Sequence, residues 1–202
     1  MLKNKIKVAV FVSGGGTNLQ AILESERRGE IPDGEISLVL SNNPSAYALE
    51  RAKNFGVKSV CVDKSVYKTL EERERQTIKV LDENGIELIV LAGYLSILSE
   101  NFTKKYQGRI INVHPSLIPS FCGKGYYGLK VHEEALKKGV KVTGATVHFV
   151  NEIPDGGEII MQKAVYVEDG DTPEVLQKRV MQEAEWILLP ASLQKVCKQL
   201  RS

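Results

Sequence analysis

Continuous apolar runs alternate here with amphipathic stretches of eight or more residues, and this constrains the fold more than any other feature of the chain. Residues 6–12, 36–40, 58–62 and 88–92 are short and apolar or β-branched. Between them lie 17–28, with Leu19, Ile22 and Leu23 at helical spacing, then 46–55, closed by Gly56, then 67–83, with Leu70, Ile78 and Leu81 as its inner stripe. A strand that is apolar at every position is covered on both faces, and helical segments between such strands supply the cover. The pattern predicts a Rossmann-like parallel sheet with right-handed crossovers and helices on both faces.

The second half changes character. Strands are expected over 109–113, 143–150 and 158–167, and a helix over 129–138. The last two strands are joined only by 151–157, too short for a parallel crossover, so they pair antiparallel. A final helix is expected over 173–189, with Thr172 as N-cap and Pro173 in the first turn. The fold class is therefore α/β, a mostly parallel sheet whose C-terminal half is mixed. With 202 residues, 43% hydrophobic and 26% charged, the chain suits one domain spanning 1–202 with a substantial core.

Charge excludes some partners. The net charge is +2, from 27 basic and 25 acidic residues, with no basic stripe that points to nucleic acid and no apolar run long enough for a membrane. Cys61, Cys122 and Cys197 are widely spaced and form no metal-ligand cluster, so reduced thiols in a cytoplasmic protein are expected and a metal is not.

Two segments carry chemistry. The first is Ser13, Gly14, Gly15, Gly16, Thr17, Asn18 and Leu19, between the first strand and the first helix. Glycines let backbone approach a phosphate, and free helix N–H groups favour an anion. Leu19 stands where a dinucleotide fingerprint has its third glycine, and no Lys-Ser/Thr ending follows, so neither a nicotinamide site nor a P-loop is indicated. A phosphate cradle and a plain tight turn capped by Thr17 both fit. The second segment is Asn112, Val113, His114 and Pro115, where strand alternation puts the amide and the imidazole on one face. Asp155 lies downstream in a Pro-Asp-Gly-Gly turn. Amide, imidazole and carboxylate together suit acyl transfer to an amine, with the carboxylate expected to raise the imidazole pKa. A core histidine beside a turn aspartate is the alternative.

Four further stretches run in one order with these: 91–98, 111–119, 144–150 and 155–157. Together they closely resemble the phosphoribosylglycinamide formyltransferase family, folate-dependent enzymes of purine synthesis, over about 6–190. The resemblance implies a formyltransferase domain that moves the formyl group of 10-formyltetrahydrofolate, a co-substrate, to the amine of glycinamide ribonucleotide. It implies Asn112, His114 and Asp155 as catalytic residues, with Asn112 and Asp155 also at the folate. Ser13 to Leu19, with Pro115, Gln182 and Glu185, match the ribonucleotide-binding positions. Leu91, Leu95, Ser96, Ile97, Leu98 and Ile110 match the folate pocket. The expected partners are small molecules, and the protein a monomer or weak homodimer.

Three departures stand out. Leu70 occupies a position that is commonly basic in the family, leaving Lys68 or Arg73 as substitutes. The loop 120–128 is longer than usual, either a flap over the site or a surface excursion. One residue is inserted near Met181, which shifts the register of the last helix. Two other formyl-folate enzymes are similar. Methionyl-tRNA formyltransferase carries an added C-terminal domain and a basic face, and formyltetrahydrofolate hydrolase places a regulatory domain before the Gly-rich loop; neither is expected here. A nucleotide-dependent oxidoreductase and a non-catalytic binding domain are the rivals of other classes.

Overall fold

The computed structural model describes residues 4–202. Its strands are β1 (Ile6–Val12), β2 (Gly34–Ser41), β3 (Ser59–Cys61), β4 (Leu88–Leu91), β5 (Ile110–His114), β6 (Val142–Phe149) and β7 (Ile159–Tyr166). They form one seven-stranded sheet in the order β3-β2-β1-β4-β5-β6-β7. Pairings from β3 to β5 are parallel, and β5–β6 and β6–β7 are antiparallel. The chain winds outward from β1 to β3, then returns to β4 on the other side of β1. That reversal opens a crevice at the carboxyl ends of β1 and β4, where open α/β sheets bind ligands.

The continuous apolar strands have the cause the sequence indicates. On β1, Val8, Val10 and Val12 enter one core, while Ala9 and Phe11 enter the other. The first core is closed by α1 (Thr17–Arg27), α2 (Tyr47–Asn54), α6 (Pro173–Val180) and α7 (Trp186–Arg201), through residues such as Leu19, Ala52, Leu176 and Leu193. The second is closed by α3 (Leu70–Glu83) and α4 (Glu100–Lys105), through Leu81, Phe102 and Tyr106. α5 (Leu129–Lys138) covers the antiparallel half beside α6. No helix among the described residues is long and apolar enough to cross a membrane.

Local chemistry moves several expected boundaries. The third helix starts at Leu70, not 67, because Thr69 forms a capping box with Glu72. Leu70 is thus a first-turn residue, 37% exposed, and the inner stripe is Thr77, Val80 and Leu81. Thr17 does not cap α1; Gly16 does, in the left-handed region at φ 73. The six-residue α4, capped by Ser99, was not expected: it is too short for a helical period to show.

The final helix departs most. It continues to Arg201 but is broken by a π turn over Met181–Glu185, in which the Trp186 N–H reaches the Met181 carbonyl. A π turn takes one more residue than an α turn. A π turn at this point has room for one extra residue without rotating the helix beyond it.

Ile89, wholly buried in the central strand β4, tests this layering. Ile89→Ala is expected to lower the unfolding free energy in urea by about 2–5 kcal/mol. A loss well under about 1 kcal/mol contradicts a close-packed two-layer core at this strand.

Candidate active site

β5 and β6 build the centre of the site. Their antiparallel register sets Asn112 opposite His148 and His114 opposite Thr146. Cross-strand partners share a face, so Asn112, His114 and His148 converge. The β6–β7 turn then carries Asp155 back over them. Asp155 holds φ 56, which is uncommon for a side chain other than glycine and clusters at functional sites. Gly157 permits the turn to close: a Cβ there would meet the Phe149 carbonyl oxygen at 1.7 Å.

Asp155 lies between two imidazoles. Its Oδ2 is 3.5 Å from His114 Nδ1 and its Oδ1 is 3.5 Å from His148 Nε2. Each ring commits its other nitrogen to a backbone carbonyl, His114 Nε2 to Phe121 at 2.8 Å and His148 Nδ1 to Phe149 at 2.7 Å. A carbonyl oxygen only accepts, so those two nitrogens carry the hydrogens. Asn112 Nδ2 lies 3.2 Å from His148 Nε2.

The electrostatics correct one expectation. Burial pushes the His114 pKa down, and Asp155 and the Phe121 carbonyl push it back by less, so the net shift is below the ordinary histidine value. Desolvation disfavours the imidazolium more than the neighbouring carboxylate favours it. Burial pushes Asp155 up, but His148, His114 and the Gly123 amide outweigh it and hold its carboxyl below the usual range. The resting centre thus pairs an ionised Asp155 with a His114 that resists protonation.

The long loop lies on this centre. Besides the Phe121 carbonyl on His114, the Gly123 N–H donates to Asp155 Oδ2 at 2.8 Å. Phe121 is itself left-handed, at φ 49. The loop is therefore a cover over the candidate residues rather than a surface excursion.

The Gly-rich loop opens the crevice beside β5. Gly14 and Gly15 are exposed, with open space where a side chain would be, whereas a Cβ on Gly16 would stand 2.6 Å from the Ala48 Cβ. Thr17 is half-buried, while Leu19 is wholly buried, so its side chain serves the core and only its backbone faces the loop. The Ser13 hydroxyl accepts from the Leu95 N–H at 2.9 Å, tying this loop to the segment after β4. Asn18 Nδ2 donates to Glu185 Oε2 at 2.7 Å. The π turn thus delivers Glu185, buried at 7% exposure, to the Gly-rich loop, and leaves Gln182 exposed beside it. Pro115 is half-buried at the end of β5.

The segment after β4 presents Leu95 and Ile97 to solvent, 69% and 77% exposed, while Leu98 packs inward. Ser96 Oγ accepts from Asn42 Nδ2 at 2.6 Å. Leu91 is nearly buried and Ile110 wholly so; both back the crevice from the core. Of the two basic substitutes, Arg73 uses its guanidinium on the Tyr67 and Lys68 carbonyls, and Lys68 is exposed.

Sequence reasoning missed His148, Asn42, Asn43 and Arg51. The last two hold the Gly-rich loop, at the Ser13 and Gly15 carbonyls. The Asn-Asn-Pro turn after β2 was a usable signal, since it ends a strand at the same sheet edge. His148 was readable only through the β5–β6 register.

Glu185 gives a stability test. Burial raises its pKa, with Asn18 opposing. An acid whose folded pKa lies above its unfolded value costs stability as pH rises through that interval, and costs nothing below it. Glu185→Gln keeps an oxygen for Asn18 and removes the charge. Its melting temperature is expected to exceed the parent's at neutral pH and to converge with it in acid. An equal or lower value at neutral pH contradicts a buried, ionisable Glu185.

The formyl transferase family model matches residues 6–192. The phosphoribosylglycinamide formyltransferase of Bacillus subtilis is 38% identical over 181 residues, covering 89% of this chain and 90% of that protein. The human trifunctional purine biosynthetic protein adenosine-3 is 42% identical over 96% of this chain, which spans only 18% of that protein's length. The structure of glycinamide ribonucleotide transformylase 1 from Symbiobacterium toebii superposes with a TM-score of 0.89 at 38% identity, over 96% of this chain and 89% of the other. The chain belongs to the formyl transferase family.

Proposed function

We propose that this chain transfers the formyl group of 10-formyltetrahydrofolate to the amine of 5'-phosphoribosylglycinamide, giving formylglycinamide ribonucleotide and tetrahydrofolate in de novo purine (IMP) synthesis. The observation that carries the reading is the meeting of Asn112, His114 and Asp155 at the carboxyl end of β5, with His114 and Asp155 3.5 Å apart. Beside it, the Gly-rich loop with Asn18 and Glu185 provides a place for a phosphorylated ribose, and the segment from Leu95 to Leu98 an apolar place for a pterin.

In this mechanism the neutral amine attacks the formyl carbon. A C–N bond forms and the carbonyl electron pair moves to oxygen. Asn112 and the Nε2–H of His114 donate to that oxygen, once the Phe121 carbonyl has left the histidine. The intermediate collapses by breaking the bond to the folate nitrogen. One proton passes overall from the attacking amine to that nitrogen. Asp155 stabilises His114 whenever the ring holds the proton in transit, which burial alone would oppose. Much of the acceleration comes from holding two substrates in line. The enzyme is read as cytoplasmic, acting on small molecules as a monomer or weak homodimer.

The test is direct. Purified protein mixed with both substrates should release tetrahydrofolate and formylated ribonucleotide; folded protein without either product overturns the reading. His114→Ala and Asp155→Asn should each lower turnover by on the order of 10²–10⁴ while the far-UV spectrum is unchanged. Near-parental turnover in Asp155→Asn removes Asp155 from the mechanism.

A further inference from the structure

The Gly-rich loop is gripped at three successive carbonyls by one segment, residues 43–51. Asn43 Nδ2 donates to the Ser13 carbonyl at 3.2 Å, the Ala48 N–H to the Gly14 carbonyl at 3.1 Å, and Arg51 Nε to the Gly15 carbonyl at 2.8 Å. These peptides are trans. Across a planar trans peptide the C=O and the following N–H point in opposite directions. Three carbonyls drawn toward one segment therefore turn the N–H groups of Gly14, Gly15 and Gly16 away from it. None of these N–H groups has an acceptor among the described residues. Gly14 and Gly15 have open space where a side chain would stand, which leaves this backbone accessible to a ligand. Successive N–H groups turned one way, ahead of a helix N-terminus, make a concavity for an anion.

We infer that Arg51 is a positioning residue for the ribonucleotide's phosphate: it holds the Gly15 carbonyl so that the Gly16 N–H faces the anion. The inference rests on the proposed function, which puts a phosphorylated ribose at this loop. Of the three clamps, Arg51 alone is charged, and an arginine keeps its charge in a protein. A charged donor on a carbonyl polarises the peptide and makes its N–H the stronger donor. The guanidinium is itself held from two sides. Its Nη1 donates to Gln20 Oε1 on α1 at 3.1 Å, and it lies over the Tyr47 ring of α2 at 5.0 Å. The planar fork thereby fixes the loop to both helices. A lysine ammonium keeps the charge but is a point, without the fixed fork that spans two acceptors.

The test compares Arg51→Met and Arg51→Lys with the parent in the formyl-transfer assay, using two acceptors, the ribonucleotide and its dephosphorylated riboside. Methionine keeps an apolar stem without donors or charge. Arg51→Met is expected to raise the KM for the ribonucleotide by on the order of tenfold or more, with the KM for 10-formyltetrahydrofolate within about twofold of the parent. On the riboside, parent and Arg51→Met should have kcat/KM values within about twofold, because no phosphate contact is there to lose. Arg51→Lys should recover at least about threefold of the ribonucleotide loss. A ribonucleotide KM within about twofold of the parent overturns the inference, as does an equal loss on the riboside, which a merely structural role would give. A lysine variant no better than methionine also overturns it. If Arg51→Met does not fold, Arg51→Gln, shorter and uncharged, takes its place with the same limits. A parent without formyl transfer would instead refute the proposed function. Ribose 5-phosphate titrated into parent and variant by calorimetry then decides the inference alone: weaker binding by the variant is expected, and equal binding overturns it.

Discussion

The ionised Asp155 is held between two imidazoles whose outer nitrogens are already committed to backbone carbonyls, and much of the architecture of this chain serves that arrangement. A carboxylate with its little remaining exposure must be compensated from several sides. The Gly123 N–H donates to it, and the two imidazoles beside it help to hold its carboxyl below the usual range. The antiparallel return of β6 and β7 brings Asp155 back over the end of β5 through a tight turn. The turn is bought with a left-handed Asp155 and a glycine pressed on the Phe149 carbonyl.

The rest of the site is set by the parallel half of the sheet. β1, β4 and β5 are adjacent, so the segments leaving their carboxyl ends share one edge. The Ser13 hydroxyl on the Leu95 N–H links two of them, and Asn42 on Ser96 adds the loop after β2. Across this edge comes the C-terminal helix, and its π turn has a clear role. Without the extra turn, an inserted residue would rotate everything beyond it by about 100° around a helix of 3.6 residues per turn. With it, a buried Glu185 meets Asn18. A carboxylate buried against a raised pKa disfavours folding. Its presence beside an open loop suits ligand binding better than stability.

Much of this was legible in the sequence, for reasons tied to particular residues. Val8 to Val12 are apolar at every position because both faces are covered, so the parallel half could be read directly. The short 151–157 connection forced the antiparallel pair. Asn112 and His114 were placed on one face by strand alternation alone. What could not be read depends on contacts between distant segments. The burial of His114 reverses the pKa direction that its neighbour Asp155 implies. His148 gains its role from register, 36 residues away from Asn112. Leu19 and Ile110 matched binding positions but are core residues, because a linear motif does not say which side of the backbone a side chain leaves.

The central physical claim is a pattern of hydrogens on a pair of rings, and it can be measured directly. The chain has 3 histidines, at 114, 132 and 148, so a long-range nitrogen–proton correlation of the labelled protein resolves each ring. Burial holds the His132 pKa near 4, so it should stay neutral throughout and serve as an internal reference. At neutral pH the account expects a neutral His114 with its hydrogen on Nε2 and a His148 with a hydrogen on Nδ1. A His148 with no hydrogen on Nδ1, or a His114 carrying its hydrogen only on Nδ1, would contradict the arrangement around Asp155.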